Sequence, residues 1–210
     1  MNYIFDFDGT LVDSMPYWAG AHIQALEAAN IPIPEGFVNT ITPLGNLGAS
    51  KYTISLGLSA SLDEYLTALN ERLYREYTTR VPLKSHVRET LLKLRECGHK
   101  LYVLTASPHF YLDDCLKGLG IYDLFDKVYS IEDFGMVKSD TAIYLAIAER
   151  IGSCVRDCVF VDDNEIAVST SKAAGMYAVG VYDETSSDRK ESITAIADVY
   201  AVTFAELPIF

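Results

Sequence analysis

Short apolar runs rich in β-branched and aromatic residues recur along the chain, with helix-like stretches between them. Continuous apolar runs of this length are typical of strands buried on both faces of a parallel sheet. The predicted strands are Tyr3 to Phe7, Lys100 to Thr105, Lys127 to Ser130, Cys158 to Asp162 and Tyr177 to Val181, with a weaker one around Val199 to Thr203. The alternation predicts an α/β fold with a Rossmann-like, doubly wound parallel sheet.

Two of the intervening segments carry clear helix signals. Ser85 to Cys97 and Ser139 to Ile151 both repeat aliphatic residues at helical spacing. Gly98 follows the first helix as a left-handed C-cap, and Ser139 or Asp140 is available to cap the start of the second. These segments are therefore predicted to be crossover helices of the sheet.

One interval breaks the alternation. The first strand ends near Phe7 and the second starts near Lys100, whereas a crossover needs only about a dozen residues. Helical patterns fill the interval, at Trp18 to Asn30, Leu44 to Leu56 and Leu62 to Thr78. We therefore predict a core formed by residues 1–14 and 81–210, and an inserted all-helical cap domain formed by residues 15–80.

Composition excludes several classes of protein. The 210 residues include 29 acidic and 17 basic residues, so the formal charge is −12. Such a chain repels polyanions and anionic membranes, and we expect no nucleic-acid partner. Half of the residues are hydrophobic and 22% are charged, which excludes intrinsic disorder.

The same sequence shows no signs of secretion or membrane insertion. Acidic residues at positions 6 and 8 do not fit a signal peptide, and no apolar run reaches the roughly 18 residues of a membrane span. Four cysteines are too few for a disulfide scaffold in a chain of this length. We expect a cytoplasmic protein that is a monomer or a weak homodimer and does not bind membranes.

Polar residues cluster where the predicted strands end. The first predicted strand ends in Asp6 and Asp8, the second ends in Thr105, and the fourth ends in Asp162 and Asp163. Lys138 precedes the helix that leads to the fourth strand. The neighbouring residues at these strand ends are Gly9, Thr10, Ala106 and Ser107. Ligands of open α/β sheets bind at the carboxyl edge of the strands. Carboxylate oxygens suit Mg²⁺, so the pattern predicts a magnesium site beside a phosphate site.

Each residue type suits a step of phosphoryl transfer. Two carboxylates as close as Asp6 and Asp8 repel each other unless a cation lies between them. One can then attack phosphorus while the other moves a proton to the leaving oxygen. Lys138, with Thr105 or Ser107, is predicted to stabilise the phosphoryl oxygens, and Gly9 to direct amides at the phosphate. Asp163 and Asp162 are expected to complete the metal shell. Taken singly, each of these residues is also a common turn, cap or surface residue.

Together the motifs resemble the haloacid dehalogenase superfamily, in its phosphatase branch. The resemblance rests on Asp6-Phe7-Asp8-Gly9-Thr10-Leu11-Val12-Asp13-Ser14, Leu104-Thr105-Ala106-Ser107, Lys138 and Phe160-Val161-Asp162-Asp163-Asn164. It implies a Rossmann-like core with a helical cap inserted after the first motif. It also implies that Asp6 is the nucleophile, Asp8 the general acid/base with its carbonyl on Mg²⁺, Asp163 a Mg²⁺ ligand, and Thr105 and Lys138 phosphate stabilisers.

Motif four departs from the family pattern. Many members have glycine before the metal aspartate and a second acid four residues after it, where this chain has Asp162 and Ala167. Either Asp162 or Glu165 is therefore expected to supply the second carboxylate. Asp163 is the predicted direct ligand.

The predicted activity is Mg²⁺-dependent hydrolysis of a small phosphorylated metabolite, of the sugar phosphate or phosphoglycolate type. Gly9, Thr10, Ala106 and Ser107 are the predicted substrate contacts of the core, and Asn46 and Lys51 those of the cap, where Gly45 to Gly48 is predicted to be a substrate loop. Two alternatives stay open: a β-phosphoglucomutase-like phosphomutase, and a non-catalytic protein that keeps the fold.

Overall fold

In the computed structural model, residues 1–210 are described apart from the side chain of Pro43. Within this part of the chain, six parallel strands form one sheet in the order β3-β2-β1-β4-β5-β6. They are β1 (Asn2–Phe5), β2 (Lys100–Thr105), β3 (Lys127–Ser130), β4 (Cys158–Asp162), β5 (Tyr177–Val181) and β6 (Val199–Ala201). This confirms the predicted α/β class with a parallel sheet.

Strand β1 lies in the middle of the sheet, between β2 and β4. Its side chains from Tyr3 to Phe5 are fully buried, because helices cover the sheet on both faces. The predicted extension of this strand to Phe7 is wrong. The carbonyl of Phe7 accepts the N–H groups of Leu11 and Val12, at 2.9 and 3.1 Å, so the chain turns instead of continuing the ladder.

Contacts divide the chain into two compact units, Met1–Asp13 with Pro82–Phe210, and Ser14–Val81. The first holds the sheet, and its helices are α5 (Val87–Glu96), α6 (His109–Gly118), α7 (Thr141–Arg150), α8 (Glu165–Ala173) and α9 (Lys190–Ile196). The second holds α1 (Met15–Ala28), α2 (Phe37–Ile41), α3 (Gly45–Ser55) and α4 (Leu62–Thr79).

Ser14 and Val81 fall in the helical unit, although the predicted boundaries assign both to the core. The Ser14 carbonyl accepts the N–H groups of Tyr17 and Trp18 at 3.0 and 2.9 Å, which makes it the start of α1. The N–H of Val81 donates to the carbonyl of Glu76 at 3.1 Å, at the end of α4. Helix-terminal hydrogen bonds therefore set both junctions.

Local sequence signals account for the helix ends. Asp140 accepts the N–H of Ala142 at 2.9 Å and is the cap of α7. Gly98 follows Cys97, the C-cap of α5, and has φ +80°, a backbone conformation that favours glycine over other residues. In α4, Ser61 and Glu64 form a reciprocal capping box.

The predicted loop from Gly45 to Gly48 is wrong, because α3 begins at Gly45. Gly45, at φ +62°, links the 3₁₀ turn Thr42–Leu44 to this helix. Asn46 and Lys51 thus lie on one helix. No helix in the described part of the chain is long and apolar enough to cross a bilayer.

Candidate active site

Three carboxylates meet at the carboxyl edge of the central strands. Asp6 directly follows β1, and Asp162 and Asp163 lie at the end of β4, which pairs with β1 in parallel. One oxygen from each lies within 4.8 Å of the others. All three residues are buried, with at most 8% of the surface exposed. The predicted grouping of these acids at one edge is therefore what the backbone topology produces.

The ammonium group of Lys138 joins this cluster. It donates to Oδ1 of Asp6 and, at 2.9 Å, to Oδ2 of Asp162. The hydroxyl of Tyr144 donates to the main-chain carbonyl of Lys138 at 2.8 Å, so α7 anchors the segment that carries the lysine. Sequence reasoning missed Tyr144. Tyr144 is a buried residue of α7, and its spacing from Lys138 does not by itself predict the contact.

Burial and mutual repulsion dominate the electrostatics. Burial raises the pKa of Asp6 to about 6, against the Lys138 charge, which lowers it; the Asp162 charge adds to the rise. Burial, followed by the charges of Asp162 and Asp6, holds the pKa of Asp163 well above its usual range. Burial opposes the charged form of Lys138 as well, yet Asp162 and Asp6 together raise its pKa. Lys84 lowers the pKa of Asp163 as well, but Asp183 raises it, so the acids remain short of positive charge.

The cluster fits a divalent cation. Its donors are buried carboxylate oxygens, which are the ligands that Mg²⁺ prefers. A second positive group would relieve the repulsion that raises the pKa values of Asp6 and Asp163. Of the described residues, these three are the ones grouped closely enough to hold an ion.

Gly9 and Thr10, the predicted substrate contacts of the first motif, both bond to other parts of the protein. The N–H of Gly9 donates to the carbonyl of Val12 at 3.0 Å, so the amide of Gly9 itself is used within the turn. Thr10 is fully buried, and a protein acceptor already uses its hydroxyl proton. Its hydroxyl donates to Oδ1 of Asp163 and accepts the N–H of Asp163, both at 3.1 Å. Thr10 therefore orients the predicted metal ligand.

Gly9 is required for close approach. Its φ is +72°, and a Cβ atom at this position would lie 2.8 to 2.9 Å from the carboxylate atoms of Asp163. Any side chain would push this carboxylate away.

Asp8 bonds to the second motif. Its carboxylate is not a member of the close group, and Oδ2 accepts the hydroxyl of Ser107. The N–H of Ser107 donates to Oγ1 of Thr105 at 3.0 Å, so the threonine hydroxyl keeps its proton for another acceptor. Ala106, between them, is exposed at the end of β2. The second motif thus presents one small exposed residue between two buried hydroxyls.

The geometry distinguishes the two candidates for the second acid. Asp162 is fully buried in the cluster, where Oδ1 accepts the N–H of Asn164 at 2.7 Å. Glu165 instead pairs with Arg189 at 3.6 Å and is not part of the group. The structure therefore favours Asp162.

The two cap candidates lie on α3. Asn46 is half-buried, and its Oδ1 atom is buried without a hydrogen-bond partner among the described residues. Lys51 is exposed. Both belong to the helical unit, and their contact with a substrate stays a prediction.

Sequence reasoning also missed Lys84. Its ammonium group donates to the carbonyl of Gly9 and, at 2.7 Å, to the carbonyl of Tyr182 and the carboxylate of Asp183. The residues before it pair with the first motif, since Asp13 N–H donates to the carbonyl of Pro82 at 3.0 Å. Lys84 therefore ties the first turn to the end of β5, across 75 and 98 positions of sequence.

Comparison with known proteins agrees with this arrangement. Residues 3–181 match the profile of the family described as Haloacid dehalogenase-like hydrolase. The chain is 30% identical over 185 residues to phosphoglycolate phosphatase of Vibrio cholerae, covering 84% of this chain and 82% of that protein. It is 31% identical over 200 residues to phosphoglycolate phosphatase of Salmonella typhimurium, covering 84% and 79%.

Solved structures share the fold over almost the whole chain. A Thermotoga maritima protein assigned as a beta-phosphoglucomutase is 25% identical, with a TM-score of 0.82 over 98% of this chain and 96% of that one. CbbY from Rhodobacter sphaeroides, in complex with phosphate, has a TM-score of 0.81 over 98% and 95% at 17% identity, which shows the fold alone. The chain therefore belongs to the haloacid dehalogenase-like hydrolases and is an enzyme of their phosphatase type.

Proposed function

We propose that the protein hydrolyses the phosphate monoester of a small metabolite, with Mg²⁺, through a phosphoryl group carried on Asp6. The observation that supports this most is the buried group of Asp6, Asp162 and Asp163 with the Lys138 ammonium bonded to two of its members. A carboxylate beside a fixed cation suits attack on phosphorus, because the cation stabilises the charge on the transferring oxygens.

In the first half-reaction, an Asp6 oxygen forms a bond to phosphorus while the bond from phosphorus to the ester oxygen breaks. The carboxylate of Asp8 lies outside the acid cluster and bonds to Ser107, which suits a group that moves protons. Asp8 gives a proton to the leaving oxygen and, in the second half-reaction, takes one from the water that attacks phosphorus. Phosphate and free Asp6 are the products.

Lys138 and Thr105 stabilise the phosphoryl oxygens in this proposal. Lys138 is already held against Asp6, so little reorganisation is needed when charge develops. Thr105 is buried, and its lone pair is taken by the N–H of Ser107, which leaves its proton to donate.

Asp6, Asp163 and the carbonyl of Asp8 are the groups proposed to hold Mg²⁺, with Asp162 beside them. When bound, Mg²⁺ supplies positive charge that neutralises the phosphate and keeps the nucleophile ionised. Thr10 and Gly9 hold Asp163 in the required place, one by hydrogen bonds and the other by the absence of a side chain.

Phosphoglycolate is the first substrate to test, because the relatives with 30% and 31% identity are phosphoglycolate phosphatases. Asn46 and Lys51 are proposed to contact the part of the substrate beyond the phosphate. With a net charge of −12, the protein repels an anionic substrate at long range. Recognition is therefore local and depends on the metal and Lys138.

A phosphomutase activity is the second candidate, since the Thermotoga maritima neighbour is assigned as a beta-phosphoglucomutase. The chemistry of Asp6 is shared, and the difference lies in whether water or a sugar hydroxyl accepts the phosphoryl group.

The test is a panel of phosphorylated metabolites, including phosphoglycolate and hexose 1-phosphates, assayed with Mg²⁺ and with EDTA. Released phosphate and isomerised sugar phosphate are measured separately, with Asp6→Asn as the control. Phosphate release that needs both Mg²⁺ and Asp6 is expected. Isomer without phosphate would favour the mutase, and full turnover by Asp6→Asn would contradict the covalent mechanism.

A further inference from the structure

Outside the acid cluster, Asp8 belongs to a series of side-chain hydrogen bonds. The hydroxyl of Ser107 bonds to Oδ2 of Asp8, and the hydroxyl of Tyr111 lies 3.1 Å from the same Ser107 oxygen. Ser107 and Tyr111 are 6% and 3% exposed. Ser107 lies just before the cap of α6, and Tyr111 lies in the first turn of that helix.

The chemistry of the groups fixes the direction of these hydrogen bonds. The Asp8 oxygen in this contact, Oδ2, accepts when the carboxylate is ionised and also when the acid proton sits on Oδ1, so the proton of Ser107 is directed at Asp8. Ser107 has a single hydroxyl proton, and the bond between the two hydroxyls therefore uses the proton of Tyr111. The hydrogen bonds thus run from Tyr111 through Ser107 to Asp8.

Ser107 is also held through its backbone. Its N–H donates to Oγ1 of Thr105 at 3.0 Å. Both the main chain and the hydroxyl of Ser107 are consequently fixed before any substrate is present.

We propose that Ser107 and Tyr111 are positioning residues that orient the carboxylate of Asp8 for proton transfer to the leaving group. This rests on the proposed role of Asp8 as general acid, and it replaces the expectation that the Ser107 hydroxyl binds phosphate. Tyr111 suits a permanent donor, because burial, with the nearby charge of Asp8, raises its pKa.

The proposal predicts a dependence on the leaving group. Glycolate leaves from 2-phosphoglycolate only with a proton, whereas p-nitrophenolate leaves as a stable anion. The value of kcat/KM isolates the first half-reaction, in which Asp8 acts as acid, because it covers only the steps up to transfer of the phosphoryl group. Loss of the hydrogen bonds that orient Asp8 therefore lowers kcat/KM for 2-phosphoglycolate far more than for p-nitrophenyl phosphate.

The experiment compares Tyr111→Phe and Ser107→Ala with the wild type on 2-phosphoglycolate and p-nitrophenyl phosphate. The matched control is Tyr3→Phe, which removes a buried hydroxyl bonded at 2.7 Å to the carbonyl of Pro208, remote from the site. We expect kcat/KM for 2-phosphoglycolate to fall about a hundredfold in Ser107→Ala, at the low end of general-acid contributions, and about tenfold in Tyr111→Phe, which keeps the bond from Ser107 to Asp8. With p-nitrophenyl phosphate, kcat/KM of both variants falls less than threefold. For Tyr3→Phe, kcat/KM falls less than threefold with both esters.

Equal losses on both esters in Tyr111→Phe and Ser107→Ala would overturn the proposal, since they would indicate phosphate binding or general damage. Unchanged kcat/KM on both esters would overturn it as well. A wild-type enzyme inactive on both esters would instead refute the proposed function, and this inference with it.

Discussion

The contact between Gly9 and Asp163 allows the metal site to be perturbed without removing a ligand. In Gly9→Ala the new methyl group would lie 2.8 Å from Oδ1 of Asp163, whereas ordinary contact begins at 3.4 Å. The carboxylate must therefore retreat by roughly half an ångström. This displacement strains the 3.1 Å hydrogen bond from the Thr10 hydroxyl to the same oxygen.

Two costs add up in this variant. A residue other than glycine at φ +72° costs about 1–2 kcal/mol. Loss of a hydrogen bond to a charged group costs about 1.5–3 kcal/mol. If the second cost falls on metal binding, it raises the half-saturating Mg²⁺ concentration by about ten- to a hundredfold, since about 1.4 kcal/mol is a factor of ten.

Gly98→Ala is the matched control. Gly98 has φ +80°, and a Cβ atom there would meet nothing within 4 Å, so only the backbone cost is shared. Both variants are assayed for phosphatase activity against Mg²⁺ concentration and for Mg²⁺ binding by calorimetry, and urea unfolding measures stability. We expect weaker Mg²⁺ binding in Gly9→Ala alone. A wild-type Mg²⁺ dependence in Gly9→Ala would refute the assignment of Asp163 as a ligand.

Three other predictions concern charge and metal. Lys138→Met leaves the buried Asp162 without its cation, so we expect the free energy of unfolding to fall by about 3–5 kcal/mol and turnover to fall at least a hundredfold. Burial lowers the pKa of His22 to about 4 in the helical unit, below the 6.5 of an exposed histidine. Between pH 4 and pH 6.5 the unfolded chain binds a proton at His22 that the folded protein does not bind. The free energy of unfolding is therefore full above pH 6.5 and falls toward pH 4, by about 2 kcal/mol at pH 5. Urea unfolding at each pH should show that this fall is absent from His22→Gln. Excess EDTA should abolish turnover, with recovery on adding Mg²⁺, and Mg²⁺ should raise the Tm of the wild type more than that of Asp163→Asn.

The strands were predictable because their signal is local. A parallel strand buried on both faces needs an apolar run, and β2, β3, β4 and β5 have the predicted bounds. The end of β1 was not predictable, since Phe7 continues the apolar pattern while its carbonyl accepts hydrogen bonds within a turn. The apolar pattern predicts that Phe7 is buried, but it does not predict which groups its carbonyl bonds to.

The acids and Lys138 were predictable because strand ends in a parallel sheet meet at one edge. The roles of Thr10 and Lys84 were not. Thr10 bonds to Asp163 across 153 positions, and Lys84 reaches Gly9 across 75, so these contacts depend on packing that a residue's neighbours in sequence do not record. Ser107 shows the same limit, because the distance to Asp8 decides its function.

The central claim is that Asp6 carries the phosphoryl group. The most direct measurement stops the enzyme during turnover of 2-phosphoglycolate, reduces it with borohydride and sequences its peptides by mass spectrometry. An acyl phosphate is reduced at its carbonyl, so we expect homoserine at position 6, dependent on substrate and Mg²⁺ and absent from Asp6→Asn. Rapid hydrolysis with position 6 unmodified, or the same label on another carboxylate, would contradict it.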